Sequence, residues 1–148
     1  MALLAMTSCH RHDQNPVLLP LPQEVSWAKG TFHGCEVKLC GESSVTEIVR
    51  DWLDESEVAC SESSSKIIEA VLVERIDQAV INQDEAYKLS VSPKSIRIEA
   101  VTERGVYWAV QTLRQLSSET KRGMRLPCCE IIDWPAFRIR GFLHDTGR

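Results

Sequence analysis

The sequence holds no apolar run near the roughly 20 residues that a membrane-spanning helix needs, so no helical span is expected in the body of the chain. It also lacks a basic footprint. The formal net charge is -4 and Lys and Arg are scattered without a run, so the attraction that drives nucleic-acid binding is missing. The cysteines lack any C-x-x-C spacing. Apart from Cys9 they are Cys35, Cys40, Cys60, Cys128 and Cys129, an odd set whose spacing indicates neither a zinc site nor a disulfide framework. Small buried or semi-buried thiols are expected, with no metal and no cofactor. What is present is 148 residues, 43% hydrophobic and 26% charged, enough for one domain with a real core.

The first residues stand apart. "MALLAMTSC" is a short apolar stretch running through small residues into Cys9, followed by the polar "HRHDQN". It lacks a positively charged start, yet it resembles the tail of a bacterial lipoprotein signal ending at a lipidated cysteine. Two readings stay open. In one, residues 1–15 are a signal remnant and tether, Cys9 carries a lipid anchor, and the protein is extracytoplasmic, periplasmic or on an outer membrane. In the other, this is a frayed terminus with an incidental cysteine. His10 and His12 are read as part of a solvated linker, because a mobile tail loses much entropy on ordering around a metal.

Prolines 20 and 22 in "VLLPLPQEV" force an extended path. A strand is expected around Cys35 to Leu39, broken by Gly41. Val45, Ile48, Val49, Trp52 and Leu53 then form one stripe of an amphipathic helix, with Ser44 and Glu47 as a capping box and the acidic residues 54–57 as its end. Ile67 to Ile76 reads as a strand buried on both faces. Tyr87, Leu89 and Val91, then Ile96, Ile98 and Ala100, alternate with polar residues about a turn at "PKS", a hairpin with one wet face.

A second helix follows Thr102, its N-cap, with Val106, Ala109, Val110, Leu113 and Leu116 at helical spacing. Gly105 lowers helicity by roughly 1 kcal/mol relative to Ala, which fits a helix that must approach a sheet closely. Together these elements predict an α+β fold, a mixed or antiparallel sheet with two helices on one face, complete by about residue 127. The stretch from Phe137 to Arg148 reads as a further strand, since Phe137, Ile139, Phe142 and Leu143 need a partner.

At "LPCCEIIDWPAFRIRGFLHDTGR" the pattern Asp133, Pro135, Phe137, Arg140-Gly141, Asp145-x-x-Arg148 resembles the junction of family-20 glycoside hydrolases, the β-N-acetylhexosaminidases. "LLPLPQEVSWAKGTF" is similar to the family's opening strand, and "EAYKLSVSPKSIRIEAVTERGVYWAVQTLRQL" to its hairpin and helix. The resemblance implies a zincin-like N-terminal α+β domain over residues 16–134. Residues 135–148 would begin a truncated catalytic TIM barrel, normally in the same chain, with residues 137–148 as a stub of its first strand. It also implies removal of terminal N-acetylhexosamine by a substrate-assisted retaining mechanism, in which the acetamido oxygen attacks the anomeric carbon.

The implied catalytic Asp-Glu pair belongs to a later barrel strand, so no catalytic residue is expected here and the chain alone should be inactive. Asp54-Glu55 and Asp84-Glu85 are read as solvated acidic turns without the shelter a general acid needs. The resemblance assigns Arg148 to substrate binding, where its fork suits paired sugar hydroxyls, and Asp145 to its support. His144 is read as a packed or solvent-facing imidazole. The alternatives are a non-catalytic accessory module, or the equivalent domain of another glycosidase family.

Overall fold

The computed structural model describes residues 15–120 and 123–141. In chain order it runs β1 (Glu24–Gly34), β2 (Glu36–Gly41), α1 (Ser43–Glu55), β3 (Ala59–Cys60), β4 (Ile67–Leu72), a single 3-10 turn (Gln83–Glu85), β5 (Tyr87–Val91), β6 (Ser95–Ala100), α2 (Glu103–Leu116), β7 (Ser118–Thr120) and β8 (Gly123–Asp133). The strands form one mixed sheet in the order β1-β8-β5-β6-β4-β2-β3, with β7 on the free side of β8. Strands β3, β2, β4 and β6 run parallel to one another, and the β6–β5, β5–β8, β8–β1 and β8–β7 pairings are antiparallel. This is the expected α+β layer with two helices on one face.

The core lies between the sheet and the helices. Val45, Val49, Trp52 and Leu53 of α1 and Val106, Ala109, Val110, Leu113 and Leu116 of α2 are buried against Phe32, Ile68, Leu89, Ile96, Ile98, Leu126 and Ile131. Each large aliphatic side chain so covered contributes about 1.5–3 kcal/mol. The hairpin alternates as its sequence does, with Tyr87, Leu89 and Val91 inside and Lys88 and Ser90 half-covered. Gly105 is required by contact: a Cβ there would lie 2.4 Å from the carbonyl oxygen of Ala86, so α2 rests on backbone. Gly41, at φ +143, ends β2 where a Cβ would meet the Ala70 carbonyl at 2.2 Å.

Four expectations are corrected. First, α1 begins one residue earlier than the proposed capping box, with Glu42 at the N-cap and no side-chain cap bond. Thr46 Oγ1 instead donates to the Ser43 carbonyl, and Ser44 sits inside the first turn. Second, β4 stops at Leu72 and is buried on one face only: Ile68 and Ala70 are buried, whereas on the open side Ile67 is 40% exposed, Glu69 pairs with Arg97 and Val71 is only half-buried. A parallel strand is normally covered twice; here a cross-strand ion pair takes the place of the second layer.

Third, the sheet is not complete by residue 127. Strand β8 is its long inner strand, pairing with β1 on one side and β5 on the other, and the segment directly after α2 supplies β7. The pattern of β8 is obscured by Pro127 and by the buried pair Cys128 and Cys129. Fourth, Phe137 to Gly141 are exposed and belong to no strand, because none of the eight strands adjoins them to take up ladder hydrogen bonds. The remainder of that proposed strand, 142–148, lies outside the described residues.

Candidate functional site

The polypeptide enters and leaves the sheet at one place, beside α2, and a cleft of about 470 Å³ forms there. The N-terminal proline segment makes one wall. Gln115 of α2 grips its backbone twice: Leu19 N donates to Oε1 at 2.8 Å and Nε2 donates to the Leu19 carbonyl at 3.0 Å. A segment rich in proline cannot join a ladder as donor, so a side-chain amide supplies the register. Further along, Gln23 N donates to Asp133 Oδ1 at 3.1 Å and Gln23 Nε2 to the Trp134 carbonyl at 3.2 Å. These bonds fasten the start of the domain to the end of β8.

The floor is Tyr87, Thr112 and Asp133. The Tyr87 hydroxyl lies 2.6 Å from Thr112 Oγ1 and points its remaining capacity at Asp133 Oδ2, 3.5 Å away, at the limit of a hydrogen bond. Burial pushes the Tyr87 phenol well above its ordinary range, opposed by the Thr112 hydrogen bond and reinforced by the charge of Asp133. Burial also raises the Asp133 carboxyl, opposed by the backbone amides of Gln23 and Trp134 and then by Tyr87.

The third wall is the surprise. Glu85, expected in a solvated turn, has only 14% of its side chain exposed. Its Oε2 accepts from Trp108 Nε1 at 2.8 Å and from Arg140 Nη2, and the Arg140 guanidinium lies 5.7 Å from the centroid of the Trp108 ring. The helical stripe marks Trp108 as outward-facing, but nothing local in the sequence announces that it shelters a carboxylate on the preceding turn. Asp84 remains exposed, paired loosely with Arg104, and Glu55 of the other dipeptide is an exposed partner of Arg114, both in keeping with solvated turns.

Of the junction motif, Asp133, Pro135 and Arg140 come together around this cleft, whereas Phe137 points away, 75% exposed. Arg148, Asp145, His144, Cys9, His10 and His12 lie outside the described residues. The cysteine expectation needs correction at two positions: Cys35 and Cys60 are exposed, because they sit on and beside the short edge strand β3. Burial, with the nearby Cys128 and Glu130, pushes the Cys129 thiol up to about 12, and burial also raises Cys128, so neither is a nucleophile at neutral pH. Among the described residues no three His, Cys, Asp or Glu side chains converge as a metal site.

Apart from Gln111, the polar side chains lining the cleft are hydrogen-bonded to one another or to the backbone, which suits clamping. The exposed large apolar side chains of the cleft are Leu19 and Leu21 on one lip and Trp108 on the other. The family model described as glycosyl hydrolase family 20, domain 2 matches residues 15–134, the whole of the sheet and both helices.

The chain belongs to glycosyl hydrolase family 20. A β-hexosaminidase of Vibrio furnissii is 31% identical across 88% of this family-20 chain and 21% of its own length. β-Hexosaminidase subunit A2 of Dictyostelium discoideum is 24% identical across the whole chain and 30% of its own. Among solved structures, the exo β-N-acetylglucosaminidase of Vibrio harveyi in complex with N-acetylglucosamine aligns with 83% of the chain and 20% of its own, at 30% identity and a TM-score of 0.61. The chain thus spans less than a third of the length of the curated relatives it matches. The resemblance read from the junction motif and from the hairpin and helix is borne out at the level of the family.

Proposed function

We propose that this chain is the domain preceding the catalytic barrel of a β-N-acetylhexosaminidase, an enzyme that removes terminal non-reducing N-acetylhexosamine. The observation that carries the reading is the unfinished face beside the cleft. Trp108, 40% exposed, and Leu19 and Leu21, above 70%, form an apolar rim where Trp134 to Gly141 leave the sheet, and Tyr107 extends it by packing on Trp108. Surface of that kind marks an interface, and the barrel that follows in the same polypeptide is its occupant. The boundaries that follow are 16–134 for the supporting domain and 135–148 for the start of the barrel. The names of the relatives support the substrate class.

In the parent, the substrate's acetamido oxygen bonds to the anomeric carbon as the glycosidic bond breaks, and a Glu protonates the departing oxygen while an Asp steadies the acetamide. Those carboxylates lie in the barrel. Arg148 contributes a fork of donors to the sugar hydroxyls and Asp145 orients it. Cys9 as a lipid anchor, and with it an extracytoplasmic location, completes the proposal; the signal-like stretch before Cys9 supports it.

Two measurements test this. The purified 148-residue chain, incubated with a chromogenic N-acetylglucosaminide, is expected to release no chromophore, and robust turnover would overturn the division of labour. The reading frame past codon 148 is expected to encode a barrel with an Asp-Glu dipeptide; absence of any barrel-coding sequence sinks the reading.

A further inference from the structure

Trp134 to Gly141 belong to no strand, and three side chains, one just before β1 and two from the 3-10 turn and its N-cap, hold them instead. Gln23 Nε2 donates to the Trp134 carbonyl at 3.2 Å and Asn82 Nδ2 to the Pro135 carbonyl at 2.7 Å. Those two bonds end on backbone and would hold almost any sequence. The third is different in kind, because Glu85 reads the side chain of Arg140.

We propose that Glu85 is a positioning residue whose carboxylate, by holding Arg140 against Trp108, fixes the course of the chain after Asp133. One oxygen, Oε2, accepts from both the indole N–H and the guanidinium, so loss of the carboxylate unpartners two donors at once. Arg140 turns its other amino group back to the Phe137 carbonyl at 2.7 Å, which converts a side-chain contact into a backbone turn. Glu85 is itself held by a rigid mount. Asn82 is left-handed at φ 51, Glu85 N donates to the Asn82 carbonyl at 3.1 Å, and the N-cap hydroxyl of Thr102 donates to the Asp84 carbonyl.

The neighbouring pair of Arg104 and Asp84 shows the contrast. Its side chains are 72% and 53% exposed and 3.4 Å apart, the kind of surface pair worth little in water. Glu85 at 14% is screened far less. The direction of exit is therefore set by an acidic residue placed before the hairpin as well as by the junction motif itself. This concerns the described chain alone and stands whether or not the barrel reading does.

The test is limited tryptic digestion of the folded 148-residue chain, with the cuts after Arg138 and Arg140 timed by mass spectrometry and normalised to the cut after Lys94 in the hairpin turn. Glu85→Ala and Glu85→Gln are both expected to raise the normalised rate about fivefold to tenfold, while Asp84→Asn leaves it unchanged and all melting temperatures stay within about 2 °C. Half-molar salt should leave the wild-type rate nearly unchanged, because a sheltered carboxylate is screened far less than a surface one. Wild-type cutting in Glu85→Gln would mean that the indole contact rather than the charge positions the segment, and the proposal fails. It fails equally if Asp84→Asn accelerates the cuts as much. Should Glu85→Ala not fold, the isosteric Glu85→Gln carries the test.

Discussion

The two helices are nearly equal in length, 13 residues in α1 and 14 in α2, and each lays one apolar stripe on the same sheet. Their outer faces differ. Helix α1 shows water only polar and charged residues, among them Glu47, Arg50, Asp51, Asp54 and Glu55, whereas α2 shows, besides Glu103, Arg104, Arg114 and Gln115, the pair Tyr107 and Trp108, packed edge to face at 5.3 Å. Burial on one side says only that a helix has a sheet beneath it; the side left over says what else it must meet. Helix α1 is finished against solvent, whereas α2 leaves an aromatic pair uncovered, which is the side that the proposed function assigns to an interface.

The comparison breaks first at the shared inner stripe. Trp52→Ala in α1 and Leu113→Ala in α2 are each expected to lower unfolding free energy by about 3–5 kcal/mol in urea titrations, because both vacate fully buried sites. A loss confined to one helix would mean that the two do not share a core. Next in size is Gly105→Ala, expected to destabilise by about 1–3 kcal/mol, since the added methyl meets the Ala86 carbonyl and must push α2 off the sheet. No position in the α1 stripe should show that sensitivity to a single methyl group.

The N-termini sharpen the contrast at a lower level. Thr102→Ala removes the acceptor for Arg104 N, 3.2 Å away, and is expected to lower stability by about 1 kcal/mol. Ser44→Ala in α1 should change it by no more than a few tenths, because no cap bond is made there. Thermal melts of both variants, run together, decide the point.

These cases also show what the sequence could disclose. The stripe of α2, its cap at Thr102, the close approach at Gly105 and the Tyr87-to-Ala100 hairpin depend on residues within a few positions of one another, and periodicity reports them faithfully. The position of β8 inside the sheet depends on pairing with β1 across the chain, where the register shifts between Trp27 and Thr31, so no local period reveals it. The cleft was legible in part. Asp133, Pro135 and Arg140 belong to a motif, but the partnership of Glu85 with Arg140 joins positions 55 residues apart and leaves no trace in either neighbourhood.

The smallest expected effect concerns acidity at the foot of α2. Asp133 has a folded pKa raised above 3.8, so between that value and the raised one the folded chain binds more protons than the unfolded chain. Stability from this group is present below that window and is lost as pH rises through it. Melting temperatures of wild type and Asp133→Asn, compared across mildly acidic pH, should therefore diverge least at the low end, after allowance for a pH-independent offset. An identical pH slope in the two proteins would remove Asp133 from the account.

One consequence remains in the way Gln115 holds Leu19 while Gln23 reaches Asp133 and Trp134. Entry and exit share a single doorway, so the sheet and helices hang from the polypeptide like a closed loop on a string. A module tied off in this manner can be carried by a longer chain without threading or rerouting what comes before or after it. It is portable because its knot is at the neck.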